Sequence, residues 1–252
     1  MSDAAPGFLY LRAIPTAGQE FEPDAGEAHY LSRVVRARPG ERVTASDGCG
    51  ARATLEVLVS RPDVRLRVLA RESIARTSAW TMLCGAPEGD RADWMIEKLA
   101  ELGLAVFQPV HTARAEWERA DARRERWQRL AVAALRQSRS AWLLDIREPV
   151  ALADWLAQAP TAPEAGERRV LASPGGTGAP GAAAPTQSTI VGAVGPSPGF
   201  SEDELKRLQM HGFERIALAA NRLRTETAAM ALAGWWAAAD TLAAPRLGAG
   251  PA

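Results

Sequence analysis

The segment Leu218-Ala-Ala-Asn221-Arg222-Leu223-Arg224-Thr225-Glu226-Thr227-Ala concentrates the residue types best suited to chemistry. Thr225 or Thr227 can cap backbone amides at a helix start, and Glu226 suits the positive end of the helix dipole. Capping accounts for the threonines and the glutamate but not for the paired arginines. Arg222 and Arg224 beside a glycine-rich loop suit a phosphate or carboxylate, because a planar guanidinium can grip two oxygens at once. Two further loops follow apolar runs, Ser173-Pro-Gly175-Gly and Gly192-Ala-Val194-Gly195-Pro-Ser-Pro-Gly199-Phe. Ligands of open α/β sheets bind beyond the carboxyl ends of the strands, and glycine lets the backbone approach them closely. Taken singly, these loops read first as ordinary turns after buried strands.

The elements that must position those loops follow from hydrophobic period. Over residues 1–75 the reading is a small β-rich module, a compact barrel. Phe8–Ala13, Glu41–Ser46, Ala51–Ser60 and Val64–Ala70 are strand-like, and Asp47-Gly48 between alternating runs signals a hairpin. Gly26–Arg38 carries helical spacing through Tyr30, Leu31, Val34 and Val35. Over 76–252, strands (80–85, 104–110, 142–146, 169–172, 189–194, 214–219) alternate with helices (91–102, 120–138, one near Leu152, 201–211, and from Arg224 on). That rhythm implies α/β architecture with a parallel sheet. Ser201 and Glu204 form a capping box, and Pro174–Gln187 is a Gly/Ala/Pro stretch that reads as a loop.

The chain has 252 residues, of which 47% are apolar, enough to bury a core. No run of 18 apolar residues occurs, and the N-terminus lacks the basic-then-apolar pattern of a secretory signal; no membrane span or export is expected. Cys49 and Cys84 are far apart and in no metal-like spacing, so no metal site is expected and a reduced cytoplasmic setting fits best. Basic and acidic residues balance at 30 each, which argues against a nonspecific coat for nucleic acid. Lys98 and Lys206 are the only lysines, so the remaining 28 basic residues are arginine. The arginines from Arg114 to Arg139 are interleaved with Glu116, Glu118, Asp121 and Glu125, and read first as a solvated, ion-paired face and second as an RNA contact.

Several motifs together resemble one family. Gly195-Pro-x-x-Gly-Phe, followed about twenty residues on by Leu-Arg224-Thr-Glu-Thr-Ala, is similar to the C-terminal signature of the ribosomal small-subunit methyltransferase E family. Glu97-Lys98-Leu-Ala-Glu101-Leu-Gly103 resembles its Lys-x-x-Glu-Leu-Gly helix end, and Gln137-Ser138 the Gln-Ser of its next long helix. His29-Tyr-Leu-Ser-Arg33-Val-Val-Arg36, Pro39-Gly40 and Asp47-Gly-Cys-Gly50 resemble its N-terminal RNA-binding domain. The order is right over nearly the whole chain. The resemblance implies a PUA-like N-terminal barrel (1–75) and a SPOUT-type domain (76–252) whose C-terminal segment threads a deep trefoil knot. It implies S-adenosyl-L-methionine as methyl donor, held by Ser173, Gly175, Gly192, Val194, Gly195, Gly199, Leu218, Ala219, Leu223, Arg224 and Thr225. RNA contacts would fall on His29, Arg33, Arg36 and Arg38. The implied partners are ribosomal RNA or the small ribosomal subunit and a second copy of the chain, with neither membrane nor DNA. Two positions depart from the family's usual loops: Ser197-Pro198 stands where Glu-Gly is usual, and Ala219 follows Leu218 where glycine is usual.

The implied reaction is methylation of a uridine at N3, a nitrogen whose proton must leave. Arg222 and Arg224 are candidates to stabilise the developing charge or hold a phosphate, Asn221 to hydrogen-bond the base edge, and Glu226 to act as base. An Arg–Glu structural clamp reads equally well for Glu226. Two alternatives stay open: an RNA-binding relative without catalysis, and a knotted methyltransferase for another RNA such as transfer RNA.

Overall fold

The computed structural model describes residues 7–76, 79–118, 120–176 and 189–243. The chain divides into two compact units. One comprises the residues up to Arg76 together with Ala131–Leu143; the other comprises Thr77–Leu130 and the chain from Leu144 on.

The first unit is built on a five-stranded sheet in the order β1 (Phe8–Tyr10), β3 (Arg42–Ser46), β4 (Ala51–Val59), β5 (Arg65–Ser73), β2 (Glu20–Phe21). Only β1 and β3 pair in parallel. Alternation puts Ala51, Ala53, Leu55 and Val57 inward, where they pack with Leu9, Leu31, Val43 and Leu66. The expected hairpin is present, with residues 47–50 between β3 and β4. Its turn is made by Asp47, whose Oδ1 accepts from the N–H groups of Cys49 (2.7 Å) and Ala51 (2.9 Å).

The helix expected over 26–38 is regular only at Ala25–His29 (α1), with Asp24 Oδ1 capping Glu27 N–H at 2.9 Å. It then widens into a π-helical turn, Tyr30–Val35, and stops at Arg36 with φ 57°. His29, Arg33, Arg36 and Arg38 are all exposed along this element and its exit. Residues 142–146 do not form one strand. The backbone of 141–143 is engaged elsewhere: Ala141 O accepts from Gly50 N–H (3.0 Å) and Ser46 Oγ–H (3.0 Å), and Leu143 N–H donates to Gly48 O (2.9 Å). Only Asp145–Ile146 (β8) is strand, and Trp142 makes a single bridge to Cys49.

The second unit holds a wholly parallel sheet in the order β12 (Glu214–Ile216), β10 (Glu167–Ala172), β11 (Thr189–Val194), β6 (Ala79–Cys84), β7 (Val106–His111), β8, with β9 (Val150–Ala151) also on β7. The helices are α2 (Arg91–Glu101), α3 (Ala120–Ser138), α4 (Leu152–Gln158), α5 (Glu202–Met210) and α6 (Thr225–Ala243). The expected α/β alternation is therefore present. α2 buries Ala92, Met95, Ile96 and Leu99, the face its 3.6-residue period predicts. The capping box is formed: Ser201 Oγ accepts from Glu204 N–H (3.2 Å), and Glu204 Oε2 accepts from Ser201 N–H (2.7 Å). Such caps contribute about 1 kcal/mol. α6 seats Trp236 against Trp80, ring centroids 5.6 Å apart. The strand expected over 214–219 ends at Ile216, which frees the following residues as loop. Of the Gly/Ala/Pro stretch, residues 177–187 lie outside the described residues.

Candidate cofactor pocket and active site

β10, β11 and β12 are neighbours in the sheet and run in one direction, so the loops leaving their carboxyl ends meet on one side. Between those loops lies a cavity of about 420 Å³. Ligand clefts of roughly 300–1,000 Å³ take small organic molecules. Most of the anticipated pocket residues line it: Ser173, Val194, Gly195, Gly199, Leu218, Ala219, Leu223 and Thr225, joined by Asn221 and Arg222.

Eight anticipated residues are placed elsewhere. Gly192 lies inside β11, where a Cβ would come within 2.8 Å of Leu232 Cδ2 and Trp236 Cη2; its smallness serves the seating of α6. Gly175 faces the tip of Arg215, and it is the next residue, Gly176, whose Cβ would meet the Ile216 carbonyl carbon at 2.4 Å. Arg224 is exposed just before α6. Glu226 is buried, with its Oε1 3.3 Å from Arg91 Nε. His29, Arg33, Arg36 and Arg38 belong to the first unit.

The loop that departs from the usual pattern is a closed turn. Gly199 N–H donates to Pro196 O at 2.7 Å, and Gly199 takes φ 80°, a left-handed conformation that favours glycine. That turn calls on no N–H at position 198, so Pro198 removes no donor the turn needs. Thr225 Oγ1 donates to Gly195 O (2.9 Å), tying the start of α6 to the loop after β11. Arg222 Nη2 donates to Ser197 O (3.0 Å), and Arg114 Nη1 to Pro198 O (3.2 Å). A Cβ at Gly85 would fall 2.4 Å from Pro196 N, so the chain after β6 backs directly on the loop. Beneath it, burial, with the Glu226 carboxylate nearby, pushes the Cys84 thiol well above its ordinary range.

Gly85, Arg91 and Gly176, which pack behind the pocket, and Arg114, on its outer rim, are contacts that sequence reasoning missed. Arg114 reads as one more member of the solvated arginine-rich face, and nothing in local period distinguishes it from its neighbours. Among the described residues no group of His, Cys, Asp or Glu is arranged to hold a metal ion, and no helix is long and apolar enough to cross a membrane.

Residues 76–237 match the RNA methyltransferase domain family. A ribosomal RNA small subunit methyltransferase E from Mycobacterium tuberculosis is 30% identical over 246 residues, covering 90% of this chain and 89% of that protein. The chain belongs to the ribosomal RNA small subunit methyltransferase E family. The solved member from Neisseria gonorrhoeae, bound to S-adenosyl methionine, superposes with a TM-score of 0.82 at 27% identity, covering 94% of this chain and 97% of that one. A probable rRNA-methyltransferase from Porphyromonas gingivalis gives 0.79 at 26% identity, over 94% and 99%. The pocket bounded by the loops after β10, β11 and β12 has the size and lining for a small organic ligand. Val194, Leu218, Leu223 and Phe200 offer an apolar wall for a flat base, and Ser173, Asn221 and Arg222 offer polar partners for hydroxyl and carboxylate groups. Gly195 leaves a hollow that a Cβ would fill to within 3.1 Å of Phe200 N.

Proposed function

We propose that this protein methylates N3 of a uridine in small-subunit ribosomal RNA, with S-adenosyl-L-methionine bound in the 420 Å³ pocket. The observation that carries the reading is the convergence of three loops, including Asn221, Arg222 and Thr225, on one cavity in a chain of this family. The cofactor supplies, when bound, an electrophilic methyl group on a sulfonium. The chain's residues do the rest. Ser173, Gly195, Leu218 and Leu223 hold the donor's polar and flat parts and exclude water. Asn221 hydrogen-bonds the edge of the acceptor base. Arg224 is the cation available to offset the negative charge that forms on the ring as the N3 proton leaves, while Arg222, bonded to Ser197 O, stays at the lip of the pocket. Glu226, already paired with Arg91, anchors the start of α6, and the N3 proton passes to bulk water at the mouth of the pocket.

The same reading includes a PUA-like first unit that presents His29, Arg33, Arg36 and Arg38 to RNA. Their exposure supports it, as does the absence, among the described residues, of an acidic partner for those arginine side chains. It also includes a trefoil-knotted C-terminal segment, a homodimer and a cytoplasmic site of action.

The test is calorimetric titration with S-adenosylhomocysteine, followed by methyl transfer to undermodified small subunits and mapping of the methylated atom. One site per subunit and a methyl group on uridine N3 are expected. A folded protein that binds no S-adenosylhomocysteine at millimolar concentration would instead be an RNA-binding relative without catalysis. Transfer to tRNA but not to subunits would reassign the substrate.

A further inference from the structure

The backbone of the Ser197-Pro198 strip is held by two arginines that, among the described residues, pair with no carboxylate. Arg222 Nη2 donates to Ser197 O at 3.0 Å and Arg114 Nη1 to Pro198 O at 3.2 Å. The acceptors belong to successive residues, so both guanidinium groups are held on one short strip of backbone. Among the described residues neither side chain forms an ion pair, and both are exposed. Neutral carbonyls do not offset the mutual repulsion of two cations, whereas an anion would.

Arg114 is preset in this position. Its turn is closed by Thr112 Oγ1, which donates to Ala115 O (3.0 Å) and accepts from Ala115 N–H (3.1 Å). Ala113 N–H donates to Glu204 Oε1 at 2.7 Å. The other oxygen of Glu204 is taken by Ser201 N–H, so the carboxylate tied to this turn is already occupied by backbone donors. Across the strip lies a second cavity of about 840 Å³, also lined by Ser197 and Pro198 but edged by Glu88, Asp90, Glu116 and Glu118. The arginine that lines it, Arg123, is paired with Asp90 at 3.0 Å. An acid-edged cavity repels phosphate and leaves the arginine-held lip as the place that accepts one.

We propose that Arg114 and Arg222 form a two-arginine clamp for a backbone phosphate of the RNA acceptor, at the lip of the cofactor pocket. This rests on the reading that the protein acts on RNA. A guanidinium has five N–H donors, and in each arginine only one is engaged with the strip, so a phosphate is bound without releasing Ser197 or Pro198. The phosphate then tightens the wall that bounds the cofactor pocket. Acceptor and cofactor binding are thereby coupled, each strengthening the other by the same factor.

The experiment uses the full chain and a fluorescein-labelled, uridine-containing RNA dodecamer, with affinity followed by anisotropy across a salt series. Wild type, Arg114→Gln, Arg222→Gln and the double variant are compared. RNA affinity should fall about tenfold per arginine removed, the scale of one charge-assisted hydrogen bond. The log–log salt slope should become shallower by about 0.7 for each phosphate of a single strand that is no longer neutralised. Arg114→Lys should restore the slope but not the full affinity, because a point charge lacks the guanidinium fork. In calorimetry without RNA, Arg114→Gln should bind S-adenosylhomocysteine within about twofold of wild type, as expected for a rim residue whose charge acts on the RNA. The tightening that RNA causes in wild type should be absent from the double variant. An unchanged RNA affinity and salt slope in a folded double variant would overturn the clamp. So would an Arg114→Gln protein that loses S-adenosylhomocysteine binding as severely as RNA binding, since the arginine would then only brace the loop. A wild type that binds RNA through these arginines yet methylates no ribosomal RNA keeps the clamp and sinks the methyltransferase reading instead.

Discussion

Arg91 Nε lies 3.3 Å from Glu226 Oε1, joining the first turn of α2 to the first turn of α6. Each end has a reason to be where it is. Glu226 occupies the positive end of α6, where a carboxylate is favoured, and its burial requires a cation to offset lost hydration. Thr225, one residue earlier, bonds Gly195 O, so the ion pair and the pocket wall are fixed by the same helix start.

Replacing Glu226 by Gln should therefore act on stability before chemistry. The Arg91 side chain is 39% exposed, so water takes over part of its solvation. The loss should be about 1–2 kcal/mol, below the roughly 3–5 kcal/mol typical of breaking a fully buried pair. Urea unfolding would measure it. Methyl transfer per folded molecule should fall by less than about tenfold, well short of the roughly 10²–10⁴ that a lost general base costs. A larger fall in kcat, with stability unchanged, would restore Glu226 as the proton acceptor.

Three glycines should separate by the space around them. At Gly85 a Cβ would meet backbone, Pro196 N at 2.4 Å, so Gly85→Ala must displace the loop after β11. Overpacking of this kind costs roughly 1–3 kcal/mol, and S-adenosylhomocysteine affinity should fall by about tenfold or more. Gly192→Ala meets Leu232 and Trp236 at 2.8 Å and should lower the melting temperature. Gly234, inside α6, has open space around it, and Gly234→Ala should stabilise by up to about 1 kcal/mol through helix propensity. Thermal melts of the three variants would test the ordering, and a destabilised Gly234→Ala would contradict it.

The two thiols should differ in reactivity. Cys49 is exposed, whereas Cys84 is fully buried at the end of β6, its thiol pushed upward by burial and donating to Gly85 O at 3.3 Å. Thiolate is the reactive form, so a thiol reagent at about pH 8 should modify one cysteine in the native protein and the second only after unfolding. Peptide mapping that finds Cys84 modified at the rate of Cys49 would show the end of β6 to be open.

Glu27 should give the first unit a pH-dependent stability. Its carboxyl is buried and pushed above the ordinary value, chiefly by desolvation, although the Arg136 guanidinium and the Tyr10 N–H pull the other way. With the folded value raised, the folded state holds the proton more strongly than the unfolded state. This contribution is present in full below the unfolded value near 4.5 and is lost as pH rises through the raised folded value. Relative to Glu27→Gln, wild type should therefore lose stability as pH rises above about 4.5, read as a shrinking difference in urea midpoint. A difference that grows with pH would mean that the Arg136 pairing outweighs burial.

How much was legible in the sequence varies with the range of the interaction. The buried face of α2, the alternation along β4, the Asp47 turn and the Ser201–Glu204 capping box were readable because each depends on residues within about one turn or one strand. The π-helical widening at Tyr30–Val35 was not, since the apolar spacing there reads as ordinary helix and the change is one of backbone hydrogen bonding. Nor was the fate of 141–143, whose backbone groups pair with a turn more than ninety residues earlier.

For the site, the residues themselves were determined by sequence. The Asn221–Glu226 segment and the glycine loops carry chemistry by type, and their order along the chain matches one family. Which of them share a cavity was decided by the strand order β12-β10-β11-β6, a property of how the chain crosses over and not of any local period. That order turned Gly192 into a packing position, took Glu226 to Arg91, and brought Arg114 to Pro198 from a loop 84 residues away. Side-chain type sets what a residue can do, and it is encoded one position at a time. What the residue meets is set by long-range closure of the sheet, which only the packed chain decides.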